Sequence, residues 1–191
     1  MGCGTGLAVS IAAERGCQAI GTDISPQAIR TAEERYPHIE FVEANGEDLP
    51  FADNSFDYVT ALGSLEHYLI PEIGLREILR VARPDAKICI VLPNRYFLFN
   101  ILAVTFTGDH HFGQWQIQER LETKKGWIRF LSENGFIIEK IKQDRFYGSF
   151  PIFESPNPWK IFKRLIRRLL SWLTPKNLAY QFIFIGRSDK K

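Results

Sequence analysis

Along the first half of the chain, apolar positions follow two alternating rhythms. Short runs at 18–23, 39–42, 56–62 and 86–92 are apolar at most or alternate positions and predict strands. Between them, apolar residues recur at helical spacing. The stretch 7–13 predicts a first helix. Ala28, Ile29 and Ala32 predict a second, with Ser25 as N-cap and Pro26 at its first position. Ile73, Leu75, Ile78, Leu79 and Val81 predict a third over 71–83, closed by Pro84. Strands alternating with helices in this way indicate βαβ units, hence an α/β fold with a doubly wound, mostly parallel sheet and helices on both faces.

The second half is less regular. Residues 94–118 mix aromatics with His110, His111 and Gly108 and read as a cap or loop. A helix is predicted over 121–134, with Gly135 as its C-cap, followed by strands at 136–141 and 179–186. The intervening 37 residues, 142–178, far exceed a hairpin loop. Within them Trp159, Phe162, Ile166, Leu169, Leu170 and Leu173 recur at three- and four-residue intervals among Lys160, Lys163, Arg164, Arg167 and Arg168. That pattern over 158–173 describes a basic amphipathic helix. It suits an anionic membrane surface, or equally a surface helix packed on the sheet or on a second subunit.

Charge sharpens this picture. The chain of 191 residues carries a net +2, yet residues 155–178 alone carry +6, so the other residues sum to −4. A mildly acidic body with one basic element disfavours a broad nucleic-acid surface. The length fits a single domain over 1–191 with one continuous core. Cys3, Cys17 and Cys89 are scattered and form no C-x-x-C pair, which fits a reduced cytoplasmic chain without disulfides or a thiolate zinc site. No apolar run approaches the roughly 20 residues of a membrane span.

The chemistry begins at Gly2-Cys3-Gly4-Thr5-Gly6, directly ahead of the first helix. Glycines at alternate positions let the backbone turn sharply and lie against a ligand, and the following helix N-terminus favours a negative group. The dinucleotide spacing G-x-G-x-x-G is not met, because Leu7 stands at its last position. Asp23 closes the strand predicted over 18–23, where a carboxylate can accept hydrogen bonds from two vicinal ribose hydroxyls.

Taken with Gly21-Thr22-Asp23-Ile24-Ser25, with 44–57 (Ala-Asn-Gly-Glu-Asp-Leu-Pro-Phe-Ala-Asp-Asn-Ser-Phe-Asp) and with Leu65-Glu66-His67, this loop resembles the class I S-adenosylmethionine-dependent methyltransferases. The nearest subgroup is the one containing the ubiquinone/menaquinone-biosynthesis enzymes. The resemblance covers residues 1 to about 95. It implies a Rossmann-like fold with an antiparallel last strand and S-adenosyl-L-methionine as cofactor. It implies that Gly2, Cys3, Gly4 and Gly6 line the methionine and ribose portion, that Asp23 takes the ribose hydroxyls and that Ile24 covers adenine. Asn45 and the Gly46 backbone would address the adenine edge, with Leu62 and Gly63 beside the methionine. The family normally places a strand ending in an acid, and a helix, before the glycine loop, so this chain is expected to be truncated at its amino end.

Ala61-Leu62-Gly63-Ser64 differs from the Asn-Pro-Pro-Tyr-like signature of enzymes that methylate exocyclic amines, so no nucleic-acid substrate is expected. Methyl transfer to oxygen or carbon of a small, lipophilic or lipid-linked acceptor is the function so implied. A methyltransferase-like domain serving as a non-catalytic membrane or partner adaptor is the alternative. A base is needed only where the acceptor loses a proton, and His67 is the candidate, though a structural histidine reads the same. His110 and His111, beside Asp109, are candidates for lining the acceptor pocket. Adjacent histidines point apart, so no metal is expected. Tyr96, Phe97, Phe99, Phe112 and Trp115 suit either an apolar pocket or core packing. A cytoplasmic protein, peripheral at the inner face of the membrane, is expected from these features together.

Overall fold

The computed structural model describes residues 1–108, 119–144 and 173–190. Helix α1 (Leu7–Glu14) leads into strand β1 (Ile20–Asp23), helix α2 (Pro26–Arg35) and strand β2 (Glu40–Glu43). Ser25 caps α2 as its sequence suggests, its Oγ accepting from Ala28 N at 3.3 Å. β1 and β2 pair in parallel as a two-stranded sheet.

Strand β3 (Phe56–Leu62), helix α3 (Pro71–Val81) and strand β4 (Ala82–Pro93) open the larger unit. It continues through helix α4 (Leu98–Thr107), helix α5 (Lys124–Glu133), strand β5 (Phe136–Asp144) and strand β6 (Gln181–Ser188). The sheet order is β3-β4-β6-β5. β3 and β4 are parallel, while β6 is antiparallel to both β4 and β5. The last strand therefore runs against the others, as the family resemblance implies. Its burial alternates strictly, with Phe182 and Phe184 on the covered face.

The core fills the space between this sheet and its helices. Leu75 and Ile78 of α3, Ile88, Ile90 and Leu92 of β4, and Trp127 and Leu131 of α5 are all fully buried. The Trp127 indole N–H donates to Pro93 O at 2.7 Å, so the largest core side chain leaves no polar atom unsatisfied.

Three boundaries differ from the sequence expectation. Helix α3 ends at Val81 and the chain is already extended at Ala82, because the residue before Pro84 is driven out of helical backbone. Helix α5 starts at Lys124, where Thr123 supplies the cap and its Oγ1 accepts from Gly126 N at 3.0 Å. Within the expected cap 94–118, residues Leu98–Thr107 form a helix ended by Gly108 at φ +76°. Its uncharged sequence lacks the polar face that marks an amphipathic helix, which hid the helical period. Among the described residues no helix is long and apolar enough to cross a membrane.

The two sheets meet through the first three residues. The Met1 amino group donates to Thr60 O of β3 and Cys3 N donates to Thr22 O of β1, each at 2.8 Å. The basic stretch 158–172 and the residues His110, His111, Asp109, Phe112 and Trp115 lie outside the described residues.

Candidate functional site

Three loops converge at the carboxyl ends of β1, β2 and β3. The first is the glycine loop. Gly6 sits at the N-cap of α1 with φ +84°, and a Cβ there would stand 2.8 Å from the Phe41 ring. Only glycine meets both conditions. Gly4, at φ +52°, has nothing within 4 Å of its missing Cβ and so presents bare backbone to open space.

Asp23 fastens this loop to β1. One carboxylate oxygen accepts from Gly4 N at 2.9 Å and the other from Ser25 N at 3.0 Å. Each oxygen retains capacity for another donor. Ala44 N donates to Asp23 O at 3.0 Å, which brings the β2 loop to the same place. In that loop the Asn45 Oδ1 accepts from Glu47 N at 3.0 Å, so its amide first shapes its own turn. Glu47 in turn accepts from Ile70 N, tying the loop to the segment after β3.

The β3 loop completes the cluster. Gly63 has φ +71° and donates its N–H to Val91 O at 3.1 Å. Ser64 Oγ donates to Met1 O at 3.4 Å, and its Cβ occupies the space beside Gly2. The Tyr68 ring packs against Gly46 and Gly74, where no side chain stands in its way. Burial pushes its hydroxyl up to about 12, so it stays protonated at neutral pH. Two apolar side chains remain bare at the strand ends, Ile24 at 67% exposed and Leu62 at 43%. Exposed aliphatic groups beside bare backbone and a carboxylate suit an adenosyl group, which offers an apolar face, ribose hydroxyls and a hydrogen-bonding edge.

Other residues singled out in the sequence have structural work. Arg80 donates to the Glu77 carboxylate, to Asp53 and to the carbonyls of Leu49 and Phe51, which fixes the turn 49–53. Asp57 pairs with Arg83 at 2.6 Å, and Ser55 Oγ donates to Ala52 O. Burial, foremost, pushes the Cys3 thiol up, so the loop cysteine is no ready nucleophile. His67 lies on the 3-10 turn Leu65–His67, its Nε2 3.7 Å from Glu66 Oε1. Glu66 was not assigned a role from sequence, because nothing in Leu65-Glu66-His67 marks its carboxyl as buried. No cluster of three His, Cys, Asp or Glu side chains that could hold a metal occurs among the described residues. An open depression of about 520 Å³ between α5 and β5, lined by Ile128, Phe136, Ile137 and Asp189, lies at the opposite strand ends and shares none of these groups.

Fold and loop order are similar to those of Rossmann-like S-adenosylmethionine-dependent methyltransferases. Residues 1–90 match the family described as methyltransferase domain. The chain is 38% identical over 91 residues to the demethylmenaquinone methyltransferase of Chlorobaculum parvum, covering 47% of this chain and 38% of that protein. It is 40% identical over 98 residues to the 2-phytyl-1,4-naphtoquinone methyltransferase of Trichormus variabilis, covering 47% and 43%. The match thus spans well under half the length of these curated relatives. A S-adenosylmethionine-dependent methyltransferase from Methanosarcina mazei superposes with a TM-score of 0.68 at 19% identity, over 100% of this chain and 91% of that one. This last likeness bears on the fold alone.

Proposed function

We propose that the chain transfers a methyl group from S-adenosylmethionine to oxygen or carbon of a small, lipophilic acceptor. The observation that carries this reading is the Asp23 carboxylate, which holds Gly4 N at 2.9 Å while the β2 loop hangs from Asp23 O. Glycine loop, ribose-type carboxylate and adenine-side loop thereby share one corner of the fold. Gly2, Cys3, Gly4 and Gly6 line the methionine and ribose portion. Asp23 takes the ribose hydroxyls, Ile24 and Leu62 cover apolar faces, and Asn45, Gly46 and Gly63 supply polar edges. When bound, the cofactor brings a methyl group already activated on sulfonium sulfur. The chain's part is chiefly positioning and exclusion of water. His67 stands beside the β3 loop, where a proton leaving the acceptor would be taken up.

The named relatives act on quinone-type molecules, which supports a lipophilic acceptor. The basic pattern over 158–173 supports a peripheral site on an anionic membrane, as does α4, where Ile101, Leu102, Val104 and Phe106 are all exposed. Thermal shift with S-adenosylhomocysteine tests the enzyme reading, and a rise in midpoint is expected. Flotation with anionic vesicles tests the membrane reading, and protein left in the soluble fraction would end it. A second reading, a non-catalytic adaptor, draws on the backbone of residues 1–3 bridging β1 and β3, which lie in separate sheets. It expects flotation without any thermal response to the ligand.

A further inference from the structure

The turn after β3 holds a carboxyl that the positioning account leaves unused. Glu66 is only 4% exposed. Its Oε1 lies 3.7 Å from His67 Nε2, whereas its Oε2 is buried and meets no hydrogen-bond partner among the described residues. An unpartnered buried carboxyl oxygen costs stability, so packing alone would favour an amide or an aliphatic side chain here. The place is informative. A Cβ on Gly63 would stand 3.6 Å from Oε1, so the carboxyl lies against bare backbone of the loop at the carboxyl end of β3.

The groups around Glu66 leave it poised. Its own turn contributes His67, whose side chain is 27% exposed. The segment ahead of α5 contributes Glu119 and Arg120. Arg120 N donates to Glu66 O at 2.8 Å, while its guanidinium turns away to Glu72 at 2.9 Å and Glu122 at 3.8 Å. Tyr68 and Tyr180 also feel the Glu66 charge. Burial, foremost, pushes the Glu66 carboxyl up to about 7, with Glu119 acting the same way and His67 opposing.

We propose that Glu66 is the proton acceptor for a hydroxyl-bearing methyl acceptor, and that His67 passes the proton outward to solvent. This rests on the methyl-transfer reading. The acceptor oxygen forms its bond to the methyl carbon of the sulfonium donor as its O–H bond breaks. The carbon–sulfur electron pair stays on sulfur, giving a neutral thioether, and the proton goes to Glu66 Oε1, the oxygen that faces Gly63 and lies 3.7 Å from His67 Nε2. From the carboxylic acid it leaves through His67 Nε2 to water, which restores the carboxylate. Charge and atoms balance with no further reactant.

The test is carbon NMR of side-chain carboxyls in the chain labelled at glutamate, titrated through neutral pH with naphthohydroquinone or with its dimethyl ether. One carboxyl is expected to titrate near neutrality, to respond to naphthohydroquinone and to ignore the ether, and to vanish in Glu66→Gln. That variant should bind naphthohydroquinone about tenfold more weakly and the ether unchanged. His67→Gln, on the more exposed side of the pair, should raise the Glu66 midpoint by removing the neighbour that opposes the rise, an effect no packing role produces. A Glu66 signal indifferent to naphthohydroquinone, or equal affinity of Glu66→Gln for it, overturns the proposal. S-adenosylhomocysteine binding on the same samples separates the two ideas. Its absence with a responsive Glu66 sinks the methyl-transfer reading and this proposal with it, whereas its presence with a silent Glu66 sinks this proposal alone.

Discussion

Sheet β1–β2 rests on Ile29, Ala32 and Phe41, with strands of four residues each. Sheet β3-β4-β6-β5 is built around a 12-residue strand and encloses Trp127, Phe136, Phe182 and Phe184 without exposure. Nearly all of the candidate cofactor residues hang from the smaller sheet. Thin packing there gives low local stability, so that region opens first and gains most from a bound ligand. The larger sheet is the scaffold, and Glu66 lies on the turn Leu65–His67 that follows its strand β3.

The largest expected effect tests whether the regions are separable. Trp127→Ala should cost about 3–5 kcal/mol of global stability by urea denaturation, through lost packing and the lost bond to Pro93 O. Phe41→Ala should instead accelerate hydrogen exchange at β1 and β2 amides while those of β4 and β6 stay protected. Equal loss of protection in both sheets would show one cooperative unit and dissolve the contrast.

Next comes the turn after β3. Folded Glu66 keeps its proton up to about pH 7, against an ordinary value of 4.5, so the folded state binds the proton more tightly. Stability is therefore withdrawn as pH rises from 4.5 through 7 and is lowest above it. Glu66→Gln has no proton to lose. It should match the parent chain in acid and exceed it above neutrality by up to about 3 kcal/mol, read as a pH series of urea midpoints. A pH-independent difference would remove the buried-carboxyl account.

Arg80→Ala should cost about 2 kcal/mol, because Glu77 and the carbonyls of Leu49 and Phe51 lose their donor. The Glu77 carboxyl, held below its usual range chiefly by the Arg80 hydrogen bond, should then titrate higher. Smallest in stability is Gly4→Ala, at about 1 kcal/mol for the left-handed backbone. Its Cβ would enter the open space beside the loop, so ligand affinity should fall by far more than stability does.

This asymmetry also explains what could be read from the chain. Strand and helix periods in the first half were legible because β3 and α3 each bury one regular face. The loops were legible because Gly6 and Asp23 have residue types that few other geometries require. Helix α4 was not, since a helix without charges leaves no polar stripe to mark its period. The end of α3 was misplaced by two residues because Pro84 acts on the backbone before it. Glu66 was passed over in favour of His67 because exposure, not residue type, distinguishes them, and exposure is a tertiary property. Asn45 shapes its own turn through a hydrogen bond between near neighbours, which its residue type alone does not specify.

The central claim is that the glycine loop, Asp23 and the Asn45 loop form one adenosyl-binding corner. Calorimetric titration of the chain and of Asp23→Ala with S-adenosylhomocysteine tests it most directly. The account predicts saturable one-to-one binding to the parent chain and at least about tenfold weaker binding to the variant, which loses both the ribose partner and the anchor of Gly4. Equal affinity for the two would contradict it.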